Sequence, residues 1–177
     1  VDSISINILN IGAPTSVTVS ATDEICTGAN GLVSIGAVTG GVAPYSYDFN
    51  GQGYSTDTIY SALSSGLYSL SVKDSNGCIY NAPDVTINNI QITAVGTVVS
   101  NETCSSDNGV LTITSVTGGK APYVYNFNNQ GNDTATVYSN LNQGTYSLVV
   151  TDSNNCSFAA DSVTILDKVP SAIHKHI

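Results

Sequence analysis

Few side chains in this 177-residue chain could do covalent or acid–base chemistry, and those few fall at regular places. Four cysteines stand at positions 26, 78, 104 and 156. Cysteines close disulfides, hold zinc or act as nucleophiles. Zinc needs ligands clustered as in CxxC with histidine nearby, whereas these cysteines are 26 or 52 residues apart and the two histidines, His174 and His176, lie in the last four residues. A nucleophile needs an adjacent base, and with no internal histidine and no free thiol expected the sequence offers no such pairing; arginine, which could support one electrostatically, is absent too. Paired carboxylates could run glycoside chemistry, but few acids recur along the chain, and the aspartates among them have turn chemistry as their explanation. The reading is non-enzymatic, with no cofactor. Disulfides are the chemistry that remains, and they imply an oxidising, extracytoplasmic location.

Two binding chemistries have candidates. Calcium would draw on Asp23 and Glu24, near a module junction, or on Asp74 and Asp152, each in an Asp-Ser-Asn turn. Calcium takes six to eight oxygens, and nothing after Asp74 completes such a set; Asp, Asn and Gly are also what a hairpin turn requires. Sugar stacking would use Tyr45, Tyr54 or Tyr123. Tyr45, Tyr47 and Phe49 alternate onto one strand face, which is more often core than platform, and Tyr54 is matched by Asn132 in the second copy described below.

The elements that must position these residues come in two copies. Cys26 recurs as Cys104, Pro44 as Pro122, Gly66 as Gly144, Asp74 as Asp152 and Cys78 as Cys156, always at an offset of 78. Residues 24–88 laid over 102–166 without gaps agree at 35 of 65 positions. We divide the chain into the end of a preceding repeat or linker (1–14), a first repeat (15–88), a second repeat (89–166) and a linker, tail or start of a next repeat (167–177). Ile4-Ser5-Ile6 matches the closing segments Val85-Thr86-Ile87 and Val163-Thr164-Ile165. The Asn88–Gln91 linker is short and lacks Gly and Pro, which predicts limited bending.

Composition agrees with a strand-rich fold: Ser, Thr, Asn, Gly and Val dominate, Met and Trp are absent, and only 10% of residues are charged. A net charge of −9 excludes the basic surface that nucleic acid requires. No apolar run approaches the length of about 18 residues that spans a bilayer, so membrane insertion is not expected of this stretch. Within a copy, apolar residues alternate at period two in Ser16–Ala21, Gly31–Val38, Pro44–Phe49, Thr58–Tyr60 and Tyr68–Val72, with Val85–Ile87 closing the module. Six or seven short strands between turns predict an immunoglobulin-like antiparallel β-sandwich per copy, all-β throughout. Leu63-x-x-Gly66-x-Tyr68, repeated as Leu141-x-x-Gly144-x-Tyr146, fits a tyrosine corner. Four cysteines allow three pairings. Repeat symmetry selects Cys26–Cys78 with Cys104–Cys156, because an independently folding module should close its own bridge.

The string Cys26-Thr-Gly-Ala-Asn-Gly31, then Thr39-Gly-Gly-Val-Ala-Pro-Tyr-Ser-Tyr47, Leu63-Ser-Ser-Gly-Leu-Tyr68 and Val72-Lys-Asp-Ser-Asn-Gly-Cys78 resembles the SprB repeat, and the second copy carries it from Cys104 to Cys156. Gly28 and Gly77 become Ser106 and Asn155, and the family's usual Trp after Pro-Tyr-x-Tyr is Phe49 and Phe127. The resemblance implies a piece of a long cell-surface adhesin of Bacteroidota, of the gliding-motility type. It also implies export by type IX secretion, neighbouring repeats as partners, and no catalysis. It implies O-glycosylation at Asp followed by Ser or Thr and a small or aliphatic residue, which here gives Ser3, Thr58, Thr134 and Ser162. The alternatives are a module pair that itself grips surface polysaccharide, or repeats appended to a secreted hydrolase.

Overall fold

The computed structural model describes residues 12–104 and 106–168. All regular structure among them is strand. The chain divides into two compact units, one ending at Asn89 and the next starting at Ile90, and each is an all-β sandwich of immunoglobulin-like layout. The expected closing segment at Ile4–Ile6 and the histidine tail lie outside the described residues.

In the first unit one sheet places the long strand Gly31–Gly40 between Pro14–Thr22 and Ile59–Leu63. The other runs Tyr54–Ser55, Ser46–Phe49, Leu70–Lys73, Ile79–Asn81. Gly66–Tyr68 pairs separately with the closing strand Val85–Ile87. The second unit repeats this order. Gly109–Gly118 lies between Ile92–Ser100 and Val137–Leu141. The sequence Asn132–Asp133, Val124–Phe127, Leu148–Thr151, Ser157–Ala159 forms the second sheet, and Gly144–Tyr146 pairs with Val163–Ile165.

Period-two alternation decides what is buried. Val33 and Ile35 from one sheet meet Tyr47, Phe49, Leu70 and Val72 from the other, with Val85 and Ile87 closing the core. Their counterparts Leu111, Ile113, Tyr125, Phe127, Leu148, Val150, Val163 and Ile165 are buried in the second unit. Each copy buries eight such side chains, and each fully buried aliphatic or aromatic one contributes about 1.5–3 kcal/mol. Phe49 stacks between Tyr60 and Tyr68, with ring centroids 4.1 and 5.3 Å away. Phe127 stacks likewise between Tyr138 and Tyr146, at 4.3 and 5.2 Å. The position where the resembling family carries Trp is therefore core here, at 2% exposure for Phe49, and not a ligand platform.

One strand expectation is corrected. Tyr68–Val72 alternates as though it were a single strand, but the chain breaks at Ser69: Gly66–Tyr68 pairs with Val85–Ile87, whereas Leu70–Lys73 joins Ser46–Phe49. The Ser69 carbonyl instead accepts the Asn50 N–H at 2.8 Å. The tyrosine corner is present just before the break, where the Tyr68 hydroxyl donates to the Ser64 carbonyl at 2.7 Å and Tyr146 to Asn142 at 2.9 Å.

Candidate functional sites at the two ends of each copy

The chain enters each sandwich at one end and leaves at the other. At the entrance Pro14 pairs with Gly40, and Gly41 turns there with φ +72°. A side chain on Gly41 would meet the Pro14 ring at 2.9 Å, so the close approach demands glycine. Ala43–Pro44 and Ala121–Pro122 just beyond are cis peptides. Asp74, 4% exposed, organises this end. Its Oδ2 accepts the Val42 N–H at 3.1 Å, and its Oδ1 accepts those of Asn76 and Cys78 at 3.0 and 2.8 Å. In the second copy the Asp152 carboxylate accepts Lys120, Asn154 and Cys156 N–H at 2.9, 2.8 and 2.8 Å. The turn closes by Gly77 N–H to Asp74 C=O in one copy and by Asn155 N–H to Asp152 C=O in the other, both 3.0 Å.

The exit is organised by a second buried carboxylate. Glu24 accepts the Ala29 N–H on Oε1 and the Ser65 N–H on Oε2, both at 2.9 Å. Glu102 accepts those of Asp107 and Gln143 at 2.9 and 2.6 Å. These two backbone donors, Ser65 first, hold the Glu24 carboxyl below its ordinary 4.5. Beside it the outgoing chain is tied down: Asn88 donates its backbone and side-chain N–H to Asp23 Oδ1 at 2.8 and 3.1 Å, and its carbonyl accepts the Glu24 N–H at 2.9 Å. In the second copy Asp167–Lys168 runs parallel to Glu102–Thr103.

All four acids singled out for calcium, Asp23, Glu24, Asp74 and Asp152, thus spend oxygens on N–H donors. Among the described residues no three His, Cys, Asp or Glu side chains gather into a metal-holding group. The sequence reading missed Glu24 and Glu102 as loop-tying residues. Their identical placement in a chain with so few acids was the available signal.

The within-copy disulfides are corrected. Cys78 and Cys104 are free thiols, so neither Cys26–Cys78 nor Cys104–Cys156 is present. The reason is distance. Cys26 follows Glu24 at the Gly31 end of the long central strand, and Cys78 is bonded through Asp74 to Val42, just past its Gly40 end. Ten residues of strand span about 30 Å, and a disulfide cannot bridge α-carbons more than about 7 Å apart. Gly109–Gly118 separates Cys104 from Cys156 in the same way.

The aromatic candidates do not converge. The Tyr45 and Tyr123 hydroxyls donate to the Gly40 and Gly118 carbonyls at 2.9 and 2.8 Å, with rings packed against the cores. Tyr54 is exposed, with Lys73 Nζ 4.0 Å above its ring. Thr58, Thr134 and Ser162 are exposed, whereas Ser3 lies outside the described residues.

The SprB repeat family model matches residues 18–53 and 96–132. Among curated protein sequences nothing matches. Of solved structures, the chain is similar to murine CEACAM1b at 13% identity, covering 86% of this chain and all of that one, with a TM-score of 0.38. It is similar to the C-terminal fragment of intimin, solved with the intimin-binding domain of the translocated intimin receptor, at 12% identity over 88% of this chain and 66% of that one, TM-score 0.39. The fibronectin(III)-like modules of Clostridium thermocellum CbhA are 16% identical over 90% of this chain and 99% of theirs, TM-score 0.33. The two matched stretches fall at equivalent places in the two units, so the chain matches the SprB repeat in two tandem copies.

Proposed function

We propose that the two copies are non-catalytic links of a long cell-surface adhesin, holding a distal adhesive part away from the cell. The observation that carries this reading is the course of the chain, which enters each copy beside Asp74 or Asp152 and leaves beside Glu24 or Glu102 at the opposite end. Such a module adds its full length to a string, and its terminal strands lie along the pulling direction. SprB repeats occur in surface-exposed proteins, which supports a cell-surface location, with export by type IX secretion and service in gliding or attachment. Exposed Thr58, Thr134 and Ser162 are its places for O-linked sugar, checked as added mass on those peptides from the native host.

The test is titration of the chain against soluble polysaccharides by calorimetry. The link reading expects no saturable binding. Saturable binding of a defined glycan, abolished by Tyr54→Ala in a variant with an unchanged melting temperature, would replace it with a polysaccharide-gripping module.

A further inference from the structure

Four asparagines stand directly before a glycine: Asn30, Asn50, Asn76 and Asn108. Such a pair can react with itself, because glycine has no side chain to shield its main-chain nitrogen from the preceding amide carbon. As sequence the four pairs are equivalent. The fold makes them different.

Asn30 and Asn108 are locked. Asn30 Oδ1 accepts the Ile25 N–H at 2.7 Å and its Nδ2 donates to the Ile25 carbonyl at 3.1 Å. Asn108 Oδ1 accepts the Thr103 N–H at 2.8 Å while its Nδ2 donates to the Thr103 hydroxyl at 2.9 Å. The glycines after them are buried and strand-paired, Gly31 with Leu63 and Gly109 with Leu141. Asn76 is exposed, but both main-chain nitrogens of its pair are tied to Asp74: Asn76 N–H donates to Oδ1 and Gly77 N–H to the carbonyl, each at 3.0 Å. Asn50 and Gly51 are held by neither device. They are the central residues of a tight turn, with φ +56° and +70°, closed by Gln52 N–H to the Phe49 carbonyl at 3.3 Å. Both are exposed, and a side chain on Gly51 would meet nothing within 4 Å. Among the described residues no backbone carbonyl accepts the Gly51 N–H.

We propose that Asn50 is a site of self-modification, converting to aspartate and isoaspartate through a cyclic imide with Gly51. The Gly51 nitrogen attacks Asn50 Cγ. The N–Cγ bond forms, the Cγ–Nδ2 bond breaks, and the glycine proton leaves with the amide nitrogen as ammonia. Water then opens the imide at either carbonyl: opening at Cγ leaves aspartate, and opening at the main-chain carbonyl leaves isoaspartate, with the chain running through Cγ. No oxidant or reductant takes part. Each event puts a carboxylate where a neutral amide stood, and isoaspartate also lengthens the turn by one carbon. The second copy has Asn128-Asn129 at this turn and Asn154-Asn155 at the other, so a side chain flanks each attacking nitrogen and slows it. The mark therefore falls on the first copy. This goes beyond the link reading and does not depend on it.

The experiment incubates the folded chain in mildly alkaline buffer, with a parallel sample in guanidinium, and follows both by chymotryptic peptide mapping and mass spectrometry. The mass gain of deamidation, and the split into aspartate and isoaspartate peptides, are read at all four asparagines. In the folded chain Asn50 should convert about tenfold faster than Asn76, the factor that one hydrogen bond of ordinary net strength gives. It should outrun Asn30 and Asn108 by more, since their glycines react only when strand pairing opens. In guanidinium the four should convert at similar rates, which shows that the fold and not the local sequence sets the order. Asn76 keeping pace with Asn50 in the folded chain would overturn the proposal. So would an Asn50 that stays intact while the denatured sample converts, or the same order of rates in both samples.

Discussion

At the residue scale the load falls on four buried carboxylates, none of which has a cationic partner among its hydrogen bonds. A carboxylate accepting two or three backbone N–H groups gains charge-assisted bonds and fixes loops that are distant in sequence. Glu24 ties Ala29 to Ser65, 41 residues away. Because its folded value is lowered from 4.5 by those donors, its contribution is present above that pH and is lost as pH falls through the lower folded value. Calorimetric melting of the chain between about pH 5 and 3 should show stability falling with acid, and Glu24→Gln should flatten that slope. An identical slope in the variant would remove Glu24 from this role. Asp74 was legible as a turn residue because its donors Asn76 and Cys78 are two and four residues on. Glu24 was not, because its second donor is distant in sequence and the spacing that marks a turn is absent.

At the scale of elements, alternation made the sandwich legible: every buried pair, from Val33 and Ile35 to Val85 and Ile87, sits two residues apart. The break at Ser69 was hidden because strands of both sheets share the same period, so alternation runs on while pairing changes sheet. The tyrosine corner was readable because its bond spans four residues. The Asp74–Cys78 turn gives a test of the same logic. Gly77 has φ +83° with open space around it, and its counterpart Asn155 has φ +64°. Only the backbone sign matters there, and Asn tolerates it far better than a β-branched residue. Gly77→Asn should leave the melting temperature within about 2 °C, whereas Gly77→Val should cost about 1–2 kcal/mol, several degrees for a domain of this size. Equal effects of the two would mean that something other than backbone sign governs the turn.

At the scale of the molecule, the repeat arithmetic gave the number of copies but misled on the cysteines. Symmetry assumes that each module closes on itself, and nothing in the spacing reveals that a ten-residue strand holds the two positions apart. The same separation of entrance from exit gives each copy its mechanical sense. Pulling on the two ends loads the ladder between Pro14–Thr22 and Gly31–Gly40 along the strands, so many hydrogen bonds resist together rather than one at a time. The most direct measurement is single-molecule extension of the chain by its termini with all thiols reduced. Load-bearing links predict two separate force peaks, each releasing roughly 25 nm as about 75 residues extend at 3.3–3.6 Å apiece. Smooth extension without peaks, or a single step of half the total length, would contradict the account.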